Sequence, residues 1–402
     1  MIDLKQSCKT FHEVRKLPRQ NFWKTVFETQ GRLDVLSNPR FAEYFAWEPN
    51  RSNCPDLELL LEGLISCLPE DWKARVRRLF AGRNLHGHAN AEAWRSGEVG
   101  VIEVNYGITS AAMIYSVLYY KYFEMIRTLG ADVDFTDEDE GVLMMILEEV
   151  GDGGFTPILV ADGERGSWRD NRQIFAGHEL LSELPVSASR EAYHELVRSI
   201  EEFVLAHELA HHLLGHTDDA YPRASRNLAH FQKIKARYEI SSPGESLNVE
   251  QRDEVEADML ALLMMSGALL GEITPARVYR ATGGSVIALT ALAHIDESWV
   301  ASNEPGETHP DFITRYTHAV DVVRKISKDL PIGVEGGHPI GFLAQLSGFV
   351  SLILDRWLSR EKTDHAPIDV LNLAYWLFER ASELEAELEE LRTSRNPRGS
   401  CT

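Results

Sequence analysis

The strongest chemical signal in the sequence is a pair of histidines four residues apart with a glutamate after the first. Residues 204–216 read VLAHELAHHLLGH and contain the motif H-E-x-x-H as His207, Glu208 and His211. On a helix, residues four apart lie on the same face, so the two imidazoles can close on one Zn²⁺ ion. Glu208 is offset by one position and can reach a water at the same metal. The motif therefore indicates a hydrolytic zinc site.

The residues around the motif predict the helix that it needs. Between residues 193 and 214, apolar residues and the two histidines recur every three or four positions, which is the helical period. Ser189 is a suitable N-cap and Gly215 a suitable stop. The competing interpretation is a buried helix whose histidines are only hydrogen-bonded in the core, because short motifs also occur by chance.

A catalytic zinc site needs a third protein ligand and an open position. The metzincin pattern is excluded, because Leu214 and Thr217 stand where it requires glycine and histidine. His216 is not expected to bind the metal, because the helix should have ended before it. A later segment reads EVEAD, in which Glu254 and Asp258 are four residues apart and share a helical face. One of these acids can bind the metal while the other accepts a hydrogen bond from a ligand imidazole. Alternatively, both are solvated charges at a helix start.

A third segment reads THPDFITR and follows the acidic helix. His309 precedes Pro310, and Arg315 lies six residues after the histidine. A histidine or arginine beside a metal can stabilise the oxyanion of a tetrahedral intermediate. A second His-Pro pair begins at His338, but Ala344 stands where the arginine is needed, which favours the first pair.

Together, AHELAHHLLGH, EVEAD and THPDFITR resemble, in that order, the gluzincin metallopeptidases of the CaaX-prenyl-protease type, which include bacterial membrane quality-control peptidases. The resemblance covers about residues 100–325. It implies three zinc ligands, a general base, a carboxylate that supports a ligand, and two groups that stabilise the transition state. The implied zinc ligands are His207, His211 and Glu254, and the implied general base is Glu208. Asp258 is the implied supporting carboxylate, and His309 and Arg315 are implied to stabilise the transition state.

The transmembrane helices of that family are missing from this sequence, because no apolar run reaches the roughly 18 residues that a span needs. Soluble intracellular relatives are the better comparison: the phage-exclusion peptidase Lit and the peptidases that cleave immunity repressors. The resemblance therefore implies a zinc-dependent endopeptidase acting on an intracellular protein or peptide. Two alternatives are a catalytically silent regulatory or binding protein with the same fold, which an intact Glu208 disfavours, and a purely structural zinc site.

Composition narrows the partners and the compartment. The formal net charge of −21 argues against nucleic acid or an anionic membrane as the main partner. The N-terminus lacks the apolar core of a signal peptide, so we expect no export. Cys8, Cys54, Cys67 and Cys401 are scattered and form no C-x-x-C pair, which is typical of a reducing compartment. We therefore expect a cytoplasmic protein.

The pattern along the chain predicts a mainly α (α+β) protein with a zincin-like core, in which a small sheet lies beside the active-site helices. We expect an N-terminal helical region in residues 1–95, the metallopeptidase core in residues 96–330, and a C-terminal helical region with a disordered tail in residues 331–402. Strands are predicted at residues 99–106 and 156–161, because these runs are rich in β-branched residues. One of them is expected to be the sheet edge that pairs with an extended substrate.

Overall fold

The computed structural model describes residues 4–29, 31–85, 89–129, 189–217, 226–244, 246–295, 309–328, 330–331, 337–361 and 368–395. It is mainly helical with one small mixed sheet, which confirms the predicted fold class. The helices before the sheet are α1 (Leu4–Arg15), α2 (Phe22–Thr29), α3 (Leu33–Leu36), α4 (Ala42–Phe45), α5 (Pro55–Ser66) and α6 (Glu70–Val76), with a 3₁₀ turn at Pro39–Phe41. The strands are β1 (Leu79–Asn84), β2 (Ala91–Ser96) and β3 (Val99–Asn105). The helices after the sheet are α7 (Tyr106–Leu129), α8 (Arg190–Leu214), α9 (Arg226–Arg237), α10 (Val249–Met265), α11 (Pro275–Ile295), α12 (Phe312–Ser327), α13 (Pro339–Glu361) and α14 (Ile368–Arg395).

The sheet has the order β1-β3-β2, with β1 parallel and β2 antiparallel to β3. The predicted strand at residues 99–106 is confirmed as β3. Because β3 is the central strand, the expectation that it forms a sheet edge is wrong, and the edge strands of the described sheet are β1 and β2. The other predicted strand, at residues 156–161, lies outside them. A domain boundary after residue 95 would cut β2, so both sides of that boundary build the same sheet.

The sequence pattern did not predict β1, because residues 1–95 were expected to be a helical region. Arg83 and Asn84 close this strand and are buried, although such residues rarely fill strand interiors. Asn53 compensates by accepting the backbone N–H of Arg83 at 2.7 Å and donating to its carbonyl at 2.8 Å. Glu201 pairs with the Arg83 guanidinium at 2.9 Å. Tertiary partners therefore stabilise a strand that local propensity does not favour.

Helix α8 crosses the centre of the molecule and carries the H-E-x-x-H motif. It packs against α7, α10, α11 and the sheet, and most of its residues are buried. Its ends are as predicted: the Ser189 side chain accepts from the backbone N–H of Ala192, and Gly215 adopts the left-handed conformation with φ of +82°. The motif therefore lies in the last two turns of a helix that its neighbours hold on every side.

Two further helices position the remaining candidate residues. Helix α10 begins with a capping box formed by Asn248 and Gln251, so Glu254 and Asp258 lie in its first turns. Helix α12 begins at Phe312, with Asp311 as its N-cap. His309 therefore lies three residues before the first residue of the helix.

The C-terminal helices complete one continuous core with the rest of the chain. Helix α13 packs against α11, α12 and α14, and the buried apolar residues form a cluster that runs from Phe22 to Leu388. Helix α14 ends at Arg395, and the tail expected to be disordered lies outside the described residues beyond that point. Across the described ranges, no helix combines the length and apolarity that crossing a membrane requires.

Candidate metal centre

Two imidazoles and one carboxylate converge at the end of α8. The Nε2 atoms of His207 and His211 are 3.1 Å apart. The Glu254 carboxylate, which α10 contributes, places Oε2 at 3.2 Å from Nε2 of His207 and Oε1 at 3.3 Å from Nε2 of His211. The geometry therefore brings together the three side chains that the sequence motifs suggested as ligands.

These separations fit a tetrahedral zinc ion. Zinc binds imidazole nitrogen and carboxylate oxygen at about 2.0–2.2 Å, so two ligand atoms of one tetrahedron lie roughly 3.3–3.5 Å apart. The donor set is two histidines and one carboxylate, a combination found in catalytic zinc sites, which keep a fourth position open. The residues present therefore fit the ion that the motifs imply.

A buried ion pair fixes the first histidine. Asp258 Oδ1 lies 2.8 Å from Nδ1 of His207, so Nδ1–H donates to this carboxylate and Nε2 is the nitrogen that can bind a metal. Arg315 donates from Nε to Oδ2 at 2.7 Å and from Nη2 to Oδ1 of the same carboxylate at 2.8 Å. Asp258 therefore has the supporting position that the resemblance implied. The guanidinium of Arg315 is engaged with Asp258, which makes it a support for that carboxylate before any direct role toward substrate.

The charges of the cluster are strongly coupled. Burial opposes the charged form of His207, but the Asp258 and Glu254 carboxylates raise its pKa to about 10. Burial lowers the pKa of His211 well below its usual range. Burial likewise opposes ionisation of Glu254, yet His207 and the other cationic neighbours lower its pKa. The cluster thus stabilises a positive charge next to Glu254, which is the charge that a metal cation would supply.

Glu208 and His309 face the same cleft as the three converging groups. The cleft has a volume of about 360 Å³. Burial raises the pKa of Glu208 to about 7, which is the range in which a carboxylate exchanges protons readily near neutral pH. His309 is mostly exposed, and its Nε2 lies 3.7 Å from Oε2 of Glu254. Both residues therefore border the space where a substrate would bind.

The two walls of the cleft have different chemistry. One wall is the start of β2, where Asn90, Ala91, Glu92 and Ala93 line the opening. The other lining is apolar and comes from α7, α8 and α11, with Ile108, Phe203, Val204, Leu289, Leu292 and Ala293. An extended peptide can pair with a free sheet edge while its side chains enter an apolar pocket. The cleft thus combines a strand of the sheet with an apolar lining.

His212 is a structural residue that sequence reasoning did not assign. Its Nε2–H donates to the carbonyl of Val101 in β3 at 3.0 Å, and its Nδ1 accepts from the Thr217 hydroxyl at 3.0 Å. Thr217 in turn accepts from Nε of Arg95 in β2 at 3.3 Å. The ring therefore ties the motif helix to both strands beside the cleft. Its position directly after His211 gave no signal, because a neighbouring histidine looks like a repeat of the motif.

Comparisons with protein-family models, with curated proteins and with solved structures give no match for this chain. The interpretation of the site therefore rests on the three motifs and on their geometry.

Proposed function

We propose that the protein is a zinc-dependent endopeptidase that hydrolyses a protein or peptide substrate. The observation that carries the proposal is the convergence of His207, His211 and Glu254 at 3.1–3.3 Å, with Glu208 facing the same cleft. A structural zinc site would require neither a nearby carboxylate in an open cleft nor a free sheet edge beside it. Both features favour a catalytic site.

In this proposal His207, His211 and Glu254 hold the ion. When bound, zinc in such a site polarises a substrate carbonyl and makes water more acidic. Glu208 takes the proton from the attacking water and delivers it to the leaving amine, a role for which a pKa of about 7 is suited. His309 donates a hydrogen bond to the oxyanion as charge develops on it.

The substrate is expected to bind as an extended segment along β2. Strand β2 is an edge of the described sheet, and residues at its start line the cleft. Main-chain pairing at this edge would hold the scissile bond over the site without demanding a particular sequence. The apolar lining of the cleft would then select for an apolar side chain beside the scissile bond.

The proposal includes a cytoplasmic location. It is supported by the cysteines of the described residues, since Cys8, Cys54 and Cys67 are free thiols. Free buried cysteines are typical of proteins in a reducing compartment. The expected substrate is accordingly an intracellular protein.

The experiment that tests the proposed function compares wild type with Glu208→Gln. Both proteins are purified and their zinc content is measured. Each protein is then incubated with a lysate of the cells in which it naturally occurs. Mass spectrometry of new protein N-termini should show cleavage by wild type alone, while both proteins contain zinc. Equal cleavage by both would contradict the role of Glu208, and zinc binding without any cleavage by wild type would favour a silent binding protein.

A further inference from the structure

The turn after α8 places His216 directly against the second histidine of the motif. Gly215 has a φ of +82°, a conformation that side chains other than glycine adopt with difficulty. The backbone N–H groups of Gly215 and His216 both donate to the carbonyl of His211, at 3.1 and 2.9 Å. The chain therefore folds back at the end of the helix, and the side chain of His216 is only 7 % exposed.

The contact between the two histidines determines which nitrogens carry protons. Nδ1 of His211 lies 3.0 Å from Nδ1 of His216. Because Nε2 of His211 faces Glu254 and must keep its lone pair to bind a cation, the ring proton is on Nδ1 and donates to His216. His216 then carries its own proton on Nε2, which faces Oδ1 of Asp253 at 3.5 Å.

We propose that His216 and Asp253 are positioning residues that orient His211 and strengthen it as a zinc ligand. The inference rests on the proposed function, because it assumes that His211 binds zinc. The row His211–His216–Asp253 is the counterpart of the direct contact between His207 and Asp258. A carboxylate that accepts the far proton of an imidazole chain makes the near nitrogen a better donor to the metal and fixes the ring plane.

Helix α10 supplies the acids for both histidines. Asp253, Glu254 and Asp258 lie within its first three turns, which the capping box at its start holds in place. One helix therefore contributes the carboxylate ligand and the two carboxylates that support the imidazoles. A shift of α10 along its axis would disturb all three contacts together.

A second metal site at the same residues is the competing interpretation. One ligand atom from each of His216, Asp253 and Glu256 lies within 4.8 Å of the others. However, His216 accepts from His211 through Nδ1 and carries its proton on Nε2, so it has no lone pair for a second ion. Glu256 instead lies 3.9 Å from Nζ of Lys235. The arrangement favours a hydrogen-bonded support for the first ion.

Four substitutions, one of them a control, separate the proposed support from a general structural effect. His216→Leu removes the acceptor for His211, and Asp253→Asn removes the charge behind it. Loss of such a supporting partner typically weakens metal binding by about 10–100-fold. His216→Gln keeps an oxygen that can accept the Nδ1 proton of His211 and should restore most of the affinity. Glu256→Gln removes an equal charge from the same cluster and is the matched control, with an expected change below about twofold.

The measurement is the zinc dissociation constant of each full-length protein, obtained by competition with a chromogenic chelator. Thermal unfolding of the metal-free proteins accompanies it, so that a misfolded variant is recognised. The visible spectrum of Co²⁺-loaded protein should also shift in His216→Leu, because a reoriented imidazole changes the ligand field.

The expected result is 10–100-fold weaker zinc binding in His216→Leu and Asp253→Asn, with rescue by His216→Gln and an unchanged metal-free melting temperature. Wild-type affinity in both of the first two variants, while wild type binds zinc and cleaves substrate, would overturn the inference and leave the proposed function intact. Two zinc ions per wild-type chain, with one lost in Glu256→Gln, would also overturn it. Absence of zinc binding by wild type would overturn both the inference and the proposed function.

Discussion

At the scale of single residues, Arg315 is expected to act through Asp258. Its guanidinium makes two hydrogen bonds to that carboxylate, at 2.7 and 2.8 Å, and the same carboxylate orients His207. Breaking a buried ion pair by removing one partner costs about 3–5 kcal/mol. Arg315→Met should therefore lower the free energy of unfolding by about that amount and weaken zinc binding, as measured by denaturant unfolding and metal titration. If the variant keeps wild-type stability and zinc affinity but has a lower turnover rate, Arg315 instead stabilises the transition state directly.

His309 is the residue whose loss should affect turnover alone. Its ring is mostly exposed at the mouth of the cleft, and its contact with Glu254 is long at 3.7 Å. Removing one hydrogen-bond donor to a developing oxyanion costs about 10²–10³ in rate. His309→Ala should therefore keep zinc and stability and lower kcat by that factor, measured with a peptide taken from an identified cleavage site.

The matched control for His309 is a histidine that is exposed and remote from the cleft. His194 on α8 meets this condition, and His194→Ala should behave as wild type. His338, the histidine of the second His-Pro pair, is unsuitable because it is buried and its Nδ1 accepts from the backbone N–H of Ile340 at 3.3 Å. Loss of zinc in His309→Ala would make this residue a ligand and contradict the proposed ligand set.

At the scale of secondary-structure elements, His212 connects the motif helix to the sheet. Its replacement by phenylalanine keeps a planar aromatic ring but leaves the Val101 carbonyl without this donor, which costs about 1–3 kcal/mol for a buried group. His212→Phe should lower the melting temperature and raise KM for a peptide substrate, because β2 is no longer held beside the cleft. Zinc content should stay at the wild-type level. Unchanged KM together with loss of zinc would show that His212 supports the metal and not the sheet edge.

The helices around the site could be predicted from the sequence, whereas the edge strand could not. Ser189 and Asn248 are strong N-caps, and the residues after them repeat with helical period, so α8 and α10 follow from local signals alone. Strand β2 reads AEAWRS, which has few residues of high strand propensity. It pairs with β3 along its whole length, and that pairing depends on contacts that the local sequence does not encode. Local sequence signals therefore predicted the helices that carry the candidate ligands but not the strand beside the cleft.

The role of His216 was missed for a related reason. The sequence argument treated the end of α8 as the end of the site, because a helix stop usually leads the chain away. The left-handed Gly215 instead turns the chain back, so that His216 contacts His211 from the side opposite Glu254. The sequence argument did not expect His216 to bind the metal, and it gave no indication that the His216 ring lies against His211.

At the scale of the whole molecule, α1 covers the face of the sheet that lies away from α8. Cys8, Phe11, Phe80, Val99 and Val101 form a small apolar cluster there, and the neighbouring His12 is 3 % exposed. Burial lowers the pKa of His12 below its ordinary value of 6.5. As the pH falls below 6.5, the unfolded chain takes up a proton at this position that the folded chain does not, so folded-state stability is lost.

This difference predicts a pH-dependent stability that one substitution removes. His12→Phe should lose less stability than wild type between pH 7 and pH 5, by up to about 1.4 kcal/mol per pH unit. The measurement is denaturant unfolding of both proteins across this range. His194→Phe makes the same change at an exposed position and is the control for the substitution itself. Parallel stability curves for wild type and His12→Phe would mean that His12 titrates alike in the folded and unfolded chains.

The most direct test of the central claim is the metal content of the purified protein. Inductively coupled plasma mass spectrometry should find one zinc ion per wild-type chain. Zinc should be lost in His211→Ala and in Glu254→Gln, whose side chains converge with His207 at 3.1–3.3 Å, and retained in Glu256→Gln. Full retention of zinc in His211→Ala, or no zinc in wild type after exposure to the ion, would contradict the account.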